Sequence, residues 1–278
     1  MAQFVVLVGA MVHTLPEGNA VYGVTSLDDL LYVLRDKASQ QITVYDVNSF
    51  RLHRRLNVPD LDLMVDIVAC AYNQCLYVCG DMRIHRVALY DDVVSDWPVD
   101  DVCYSLSVTD THTLLVTCDK AQKIKEFSTD GRPIREIQLA QDVVSPFHAV
   151  KLSSGQFVVC HGRFFDPVQR VCLVSSDGQV VKSFGGAKGT GSQQMYTPVH
   201  IAVDRNGFVF VADLNNRRVL LLSPSLSFVR EVVSHEQLKW APLRLWLDED
   251  SRRLYIAVNK WGDLNDTYVA GRVIVIQI

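Results

Sequence analysis

The 278-residue chain is 49% hydrophobic and 21% charged, so it can bury a large core and does not have the composition of a disordered protein. Its net charge of −4 at pH 7 and its pI near 6.0 lack the basic excess that nucleic-acid-binding domains usually carry. No stretch approaches the roughly 20 apolar residues of a membrane-spanning helix.

Taken in chain order, the predicted strands form a repeat. An apolar, strand-like run followed by a polar corner occurs six times, about 40 to 50 residues apart, which is the length of a four-stranded propeller blade. The runs lie at 30–33, 75–78, 114–117, 157–160, 208–212 and 254–257, and the corners at Asp36, Asp81, Asp119, His161, Asp213 and Asn259. A further strand is predicted at Phe4 to Val8, and one helical turn within His235 to Trp240.

The clearest copy of the repeat lies at 184–222. It contains a glycine-rich loop, Pro198, an alternating strand, a tight turn, a second apolar strand and the corner Asp213-Leu214-Asn215-Asn216-Arg217. This segment resembles one NHL repeat, the blade unit of a β-propeller family that includes tripartite-motif and Brat-type proteins. The resemblance weakens in the other five copies, and neither a RING nor a B-box is expected before the repeats.

The repeat count and the resemblance together predict an all-β fold. We expect one six-bladed β-propeller domain over 1–278, with four antiparallel strands in each blade. The blades are predicted at roughly 19–61, 62–101, 102–145, 146–196, 197–240 and 241–278. The last of these has only three predicted strands, so the N-terminal strand at 4–8 is expected to close that blade as its outer strand, because an open sheet edge is a liability.

The corner and the glycine loop have plain structural interpretations. Asp213, Asn215 and Asn216 suit a turn in which side chains bind neighbouring backbone groups, and Arg217 is expected to tie adjacent strands together. The loop at 185–191 lacks the Lys-Ser/Thr ending of a phosphate-binding loop, and no helix is predicted to begin there.

Aligning the six copies predicts one residue per blade at the start of the strand that lines the central channel. These residues are Gly23, Asp66, Ser105, His148, His200 and Arg244. His148 and His200 occupy the same place in adjacent blades, where most NHL repeats carry glycine. With nearby Trp240, the residues at 66, 105, 148, 200 and 244 are the predicted binding residues at the channel mouth.

Two imidazoles and a carboxylate at one channel could also hold a divalent cation. Peptide-amidating lyases, which are NHL-type propellers, are zinc enzymes with histidine ligands in the channel, so the resemblance implies His148, His200 and Asp66 as candidate ligands for zinc or calcium. No third histidine occupies a matching position, and three protein ligands are the usual catalytic minimum. We therefore expect no cofactor, and hydrogen-bonded histidines that belong to the channel wall.

The seven cysteines are an odd number and several lie in apolar runs, which indicates buried free thiols, a reducing compartment and a cytoplasmic location. The leading functional hypothesis is a non-enzymatic, monomeric scaffold that binds a protein or peptide on its channel-mouth face, with no membrane partner. One alternative is single-stranded RNA binding through the same face, because basic clusters occur in several blades and Trp97, Trp240 and Trp261 lie near predicted inter-blade loops. The other is a metal-dependent lyase or lactonase that uses the channel.

Overall fold

The structure is a computed structural model that describes residues 10–35, 41–58, 64–80, 82–262 and 267–278. The first strand is β1 (Ala10–Thr14), and the first two blades comprise β2 (Val21–Leu27), β3 (Leu30–Arg35), β4 (Gln41–Asp46) and β5 (Leu52–Asn57), then β6 (Met64–Cys70), β7 (Cys75–Gly80), β8 (Arg83–Ala88) and β9 (Val94–Pro98). The third and fourth blades comprise β10 (Cys103–Val108), β11 (Leu114–Cys118), β12 (Lys123–Phe127) and β13 (Pro133–Gln138), then β14 (Pro146–Lys151), β15 (Phe157–His161), β16 (Val168–Val174) and β17 (Val180–Ala187). The fifth blade comprises β18 (Pro198–Val203), β19 (Val209–Asp213), β20 (Arg218–Leu222) and β21 (Phe228–Val233), and the sixth contains β22 (Ala241–Asp248), β23 (Arg253–Trp261) and β24 (Tyr268–Gln277).

Within the described ranges these strands form six antiparallel, four-stranded sheets, so the predicted all-β, six-bladed propeller is confirmed. The sixth sheet has the order β1-β24-β23-β22, and an N-terminal strand therefore closes the last blade. That strand is β1, which pairs with β24 from Ala10 opposite Gln277 to Thr14 opposite Ile274. The predicted segment from Phe4 to Val8 and the corners Asp36 and Asp81 lie outside the described residues.

The core lies between neighbouring blades, because each strand places alternate side chains on the two faces of its sheet. The middle strands are buried on both faces, and β7, β11, β15 and β19 are buried along their whole lengths. Because both faces are buried, the sequences of these strands are continuous runs of Val, Leu, Cys and Phe instead of an alternating pattern.

The predicted helical turn is confirmed as α1 (His235–Leu238), which Ser234 and Gln237 cap reciprocally. Across the described ranges, no helix has the length and apolar character that a membrane crossing requires.

The fifth-blade corner is held by the buried carboxylate of Asp213. It accepts hydrogen bonds from the backbone N–H of Tyr196 at 2.7 Å, from Asn216 Nδ2 at 2.7 Å and from Arg218 Nε at 2.8 Å. The cation that binds this carboxylate is Arg218, whereas Arg217, which was expected to tie adjacent strands together, is exposed and has a left-handed φ of 50°. The register explains the difference, since position 218 is the cross-strand partner of Asp213.

The glycine-rich connection is also part of the architecture. The guanidinium of Arg218 donates to the backbone carbonyls of Thr190, Gly191 and Gln194, at 3.1, 3.1 and 2.8 Å. Asn215 supports the same corner through a 2.8 Å hydrogen bond to Thr197 Oγ1. The loop carbonyls are thus turned toward a cation of the protein itself, an arrangement that suits no phosphate.

Candidate functional site

The six innermost strands leave one backbone edge each facing the channel. Unpaired backbone groups at such an edge need hydrogen-bond partners when they are buried. Side chains of the neighbouring blade provide several of these partners. The bonds are Ala69 N–H to Thr25 Oγ1 (3.1 Å), Leu106 N–H to Asp66 Oδ2 (3.0 Å), Ser105 Oγ to Phe147 O (2.7 Å), Ser107 Oγ to Ala149 O (2.7 Å), Ile201 N–H to His148 Nδ1 (3.4 Å) and Leu245 N–H to His200 Nδ1 (3.4 Å).

The structure brings four predicted channel residues together in one buried group. We call Asp66, His148, His200 and Arg244 the channel group. Each follows the β-bulge of its innermost strand, and Gly23 and Ser105 occupy the equivalent positions in the remaining two blades. The four residues are only 2–6% exposed, so they lie inside the ring and are not displayed at an open mouth.

Asp66 and Arg244 form the charged centre of the channel group. Asp66 Oδ1 accepts from Arg244 Nε at 3.1 Å and from the N–H of Ile67 at 3.0 Å. The guanidinium also donates to the carbonyls of Val65 at 2.7 Å and Tyr104 at 3.3 Å. Burial raises the pKa of Asp66, but the Arg244 charge and the side chain of His200 more than offset this and lower the pKa to about 2. The carboxylate is therefore ionised and its partners are protein atoms.

The hydrogen bonds fix the two histidines as neutral rings. Their centroids are 3.8 Å apart and the planes are inclined by 14°. Since each Nδ1 accepts a backbone N–H, the proton lies on Nε2, which donates to Leu106 O at 3.1 Å in His148 and faces Asp66 Oδ2 at 3.8 Å in His200. Burial lowers the pKa of both imidazoles, and for His148 the neighbouring His200 lowers it again.

The channel group does not fit zinc or calcium. The potential ligand atoms of Asp66, His148 and His200 lie within 4.8 Å of one another, which is close enough to consider an ion. A cation at Nε2 would move each proton to Nδ1, where it would face a backbone N–H donor. The Arg244 guanidinium beside the carboxylate would also repel a cation, and calcium takes six or more oxygen ligands. The group is therefore built to satisfy backbone edges.

The other predicted channel residues, Ser105, Gly23 and Trp240, also make contacts that belong to the scaffold. Ser105 is buried and donates to the next blade. A Cβ on Gly23 would lie 2.5 Å from Ile67 Cγ2, so close packing between blades requires glycine there. Trp240 does not join the channel group, because it lies half-buried against Arg272, whose guanidinium carbon is 4.5 Å from the indole centroid.

A cavity of about 200 Å³ continues from the channel group toward the ends of the innermost strands. Its walls are mainly apolar and include Val68, Val108, Val150, Val203 and Leu247. Its polar floor is the histidine pair with Asp66, whose hydrogen-bonding atoms are engaged by the protein. The cavity could therefore hold a small apolar group, but it presents no group free to act as a base or nucleophile among the residues that the structure describes.

The face of the ring on which the innermost strands begin carries features that the repeat pattern did not indicate. The turn after β15 exposes 89% of Phe165 and 45% of Phe164. The ammonium of Lys188 lies 5.0 Å from the Phe164 ring and 5.6 Å from the Tyr196 ring. The sequence does contain a signal for this exposed site, namely two adjacent phenylalanines in an otherwise polar turn. We call this face, which bears the turns between second and third strands, the turn face.

A second feature of the turn face is a cleft between the fifth and sixth blades, which we call the indole cleft. It is lined by Trp240 and Trp261 together with Arg217, Lys239 and Lys260. Trp261 is 37% exposed and its ring centroid lies 4.3 Å from that of Tyr268. The predicted aromatic residue Trp97, in contrast, packs between blades against Tyr77, at 6.1 Å between centroids.

No protein-family model and no curated protein matches this sequence. Solved structures are similar in fold. Virginiamycin B lyase from Staphylococcus aureus superposes with a TM-score of 0.64 at 10% identity, over 95% of this chain and 98% of that one. A streptogramin B lyase gives 0.61 at 10% identity over 92% and 94%, and hydrazine synthase from Kuenenia stuttgartiensis gives 0.63 at 12% identity over 93% and 96%. At identities this low, the superpositions support the propeller fold of this chain and nothing more specific. The resemblance to NHL repeats stays a prediction.

Proposed function

We propose that this chain is a non-enzymatic binding scaffold that recognises a peptide or protein segment on its turn face. The observation that carries the proposal is the exposed pair Phe164 and Phe165 beside Lys188, on the same face as the indole cleft. Exposed aromatic rings grouped with cations are typical of binding hot spots. Burial of a phenylalanine side chain contributes about 1.5–3 kcal/mol, or roughly ten- to a hundredfold in affinity.

The proposal moves the binding role from the predicted channel residues to the rim of the ring. A protein partner cannot reach Asp66, His148, His200 or Arg244 in this conformation, because these residues are buried. They serve the scaffold by joining the blades. A rigid ring that presents loops on one face is the usual division of labour in such folds.

Catalysis is the weaker interpretation. Two of the similar structures are lyases, but their identity to this chain is 10% in each case. A lyase or lactonase would need a group with a free lone pair or proton at the cavity, but the polar atoms of Asp66, His148 and His200 already have protein partners.

Single-stranded RNA is a second candidate because cations and aromatic rings share the turn face. The proposal also includes a monomer and a cytoplasmic location, of which the location is supported by the seven free and buried thiols.

Selection from a phage-displayed library of random 12-residue peptides on the immobilised protein tests the proposal. We expect enriched peptides whose binding falls at least about tenfold in the variant Phe164→Ser/Phe165→Ser. The matched control is Tyr90→Ser, because Tyr90 is 83% exposed but lies in the turn after β8, on the opposite face. Absence of enrichment, or equal losses in both variants, would refute peptide recognition on the turn face.

A further inference from the structure

The indole cleft differs from the rest of the turn face in its charge. Its volume is about 260 Å³, and its polar side chains are those of Arg217, Lys239, Lys260 and the buried Asn259. Asn259 is engaged elsewhere, since its amide group exchanges two 2.8 Å hydrogen bonds with the backbone of Val21. Three cations thus surround two indoles, and no carboxylate is among the lining residues of the described chain.

Within the described ranges, the cations of the cleft have no acidic partner. Among the described residues, no carboxylate oxygen lies within 4.0 Å of Arg217, Lys239, Lys260 or Arg272. Arg272 lies over Trp240, and its buried Nε has no hydrogen-bond partner among the residues that the structure describes. Arg218 provides the contrast, because it is adjacent in sequence to Arg217 but is paired with Asp213. The described side chains around the cleft therefore carry a positive charge that an acidic ligand could neutralise.

The walls of the cleft are held in place before any ligand arrives. Arg217 Nη1 donates to the carbonyl of Lys239 at 3.5 Å, which joins the fifth-blade corner to the connection that precedes β22. Trp240 is packed by Arg272 on one face, and Trp261 is packed by Tyr268. Preorganised side chains lose little conformational entropy when they bind, so the cleft suits recognition of a defined group.

We infer that the indole cleft binds a short acidic segment of a partner polypeptide. Carboxylate side chains of that segment would pair with Arg217, Lys239 and Lys260, and an apolar neighbour would pack on the exposed part of Trp261. A short anionic segment fits better than a polyanion, because the chain as a whole carries a charge of −4 and would repel a long one. The inference rests on the proposed function and specifies the chemistry of the partner.

Fluorescence anisotropy with a labelled peptide of alternating Glu and Leu, ten residues long, tests the inference. The charge-reversed variant Lys239→Glu/Lys260→Glu should lose at least about tenfold in affinity, since like charges replace opposite ones. A matched control is Lys182→Glu, which changes an exposed lysine of the outer strand β17 by the same chemistry and should bind as the parent does. A peptide with Lys in place of Glu should not bind.

Three outcomes separate the possibilities. If selected library peptides bind through Phe164 and Phe165 but are not acidic and ignore Lys239→Glu/Lys260→Glu, the inference fails and the proposed function stands. If the Glu-Leu peptide binds parent and charge-reversed proteins equally, or not at all, the inference also fails. If a ten-nucleotide oligouridylate binds more tightly than the peptide and loses affinity in the same variant, the cleft is an RNA site and the inference is overturned.

Discussion

Removing the Asp66 carboxylate tests the structural role assigned to the channel group. In Asp66→Ala the Arg244 guanidinium stays buried without its counter-ion, and the N–H groups of Ile67 and Leu106 lose their acceptor. Breaking a buried ion pair by removing one partner costs about 3–5 kcal/mol, and an unsatisfied buried amide costs about 1–3 kcal/mol. These costs overlap, so we expect the free energy of unfolding to fall by about 3–5 kcal/mol.

Urea denaturation followed by tryptophan fluorescence measures this loss, with Arg244→Met and the double variant completing a cycle. Methionine keeps much of the aliphatic volume without the charge, so the double variant should be more stable than the sum of the single losses by at least about 1 kcal/mol. Asp92→Asn is the surface control, because Asp92 pairs with Arg54 at 2.6 Å where both are partly exposed and Asn tolerates its left-handed φ of 58°, and it should cost less than about 1 kcal/mol. A loss below about 1 kcal/mol for Asp66→Ala, or strict additivity, would refute the role.

Three further predictions concern the corner, the ring closure and the histidines. Arg218→Met should lower the free energy of unfolding by about 3 kcal/mol, because it leaves the Asp213 carboxylate buried without its cation. In the same urea denaturation, Arg217→Met should change the free energy of unfolding by less than about 0.5 kcal/mol. Asn259→Leu should cost about 2–4 kcal/mol, because two buried backbone groups of β2 lose their partners, and thermal denaturation checks this. Because burial lowers the folded-state pKa of His148, the unfolded chain binds more protons below its own pKa of about 6.5, so stability should be constant above that pH and fall below it. His148→Asn, which retains one donor and one acceptor, should make this decline shallower in chemical denaturation at about pH 5 to 8, while the buried His200 and His161 still contribute to it. An unchanged slope would contradict the assignment.

The repeat spacing was sufficient to predict the blades because each blade is one supersecondary unit with its own apolar run and corner. It also placed Asp66, His148, His200 and Arg244 at equivalent positions, since a strand alignment fixes the place of a residue along the strand. It could not indicate how far each side chain is buried, because burial depends on the neighbouring blade. Phe164 and Phe165 were missed because they lie in a turn outside the repeat pattern.

The exchange between Arg217 and Arg218 has a related cause. Two adjacent arginines look equivalent in a corner motif, but they differ in backbone conformation. The first has a left-handed φ and faces solvent, and the second begins β20 opposite Asp213. The pairing register decides which arginine lies opposite Asp213, and the register is set only when the sheet folds.

Several hydrogen bonds along the channel join a side chain of one blade to the innermost strand of the next, and His148 also donates back to Leu106 O of the preceding blade. The residue after the bulge is therefore matched to the blade that follows it. Asp66 accepts a donor from the third blade, and His200 accepts one from the sixth. Blades that are alike in shape are consequently not interchangeable. A ring with its blades in another order would lose these matched hydrogen bonds, so side chains that no single blade needs for its own fold help to fix the order of the six blades.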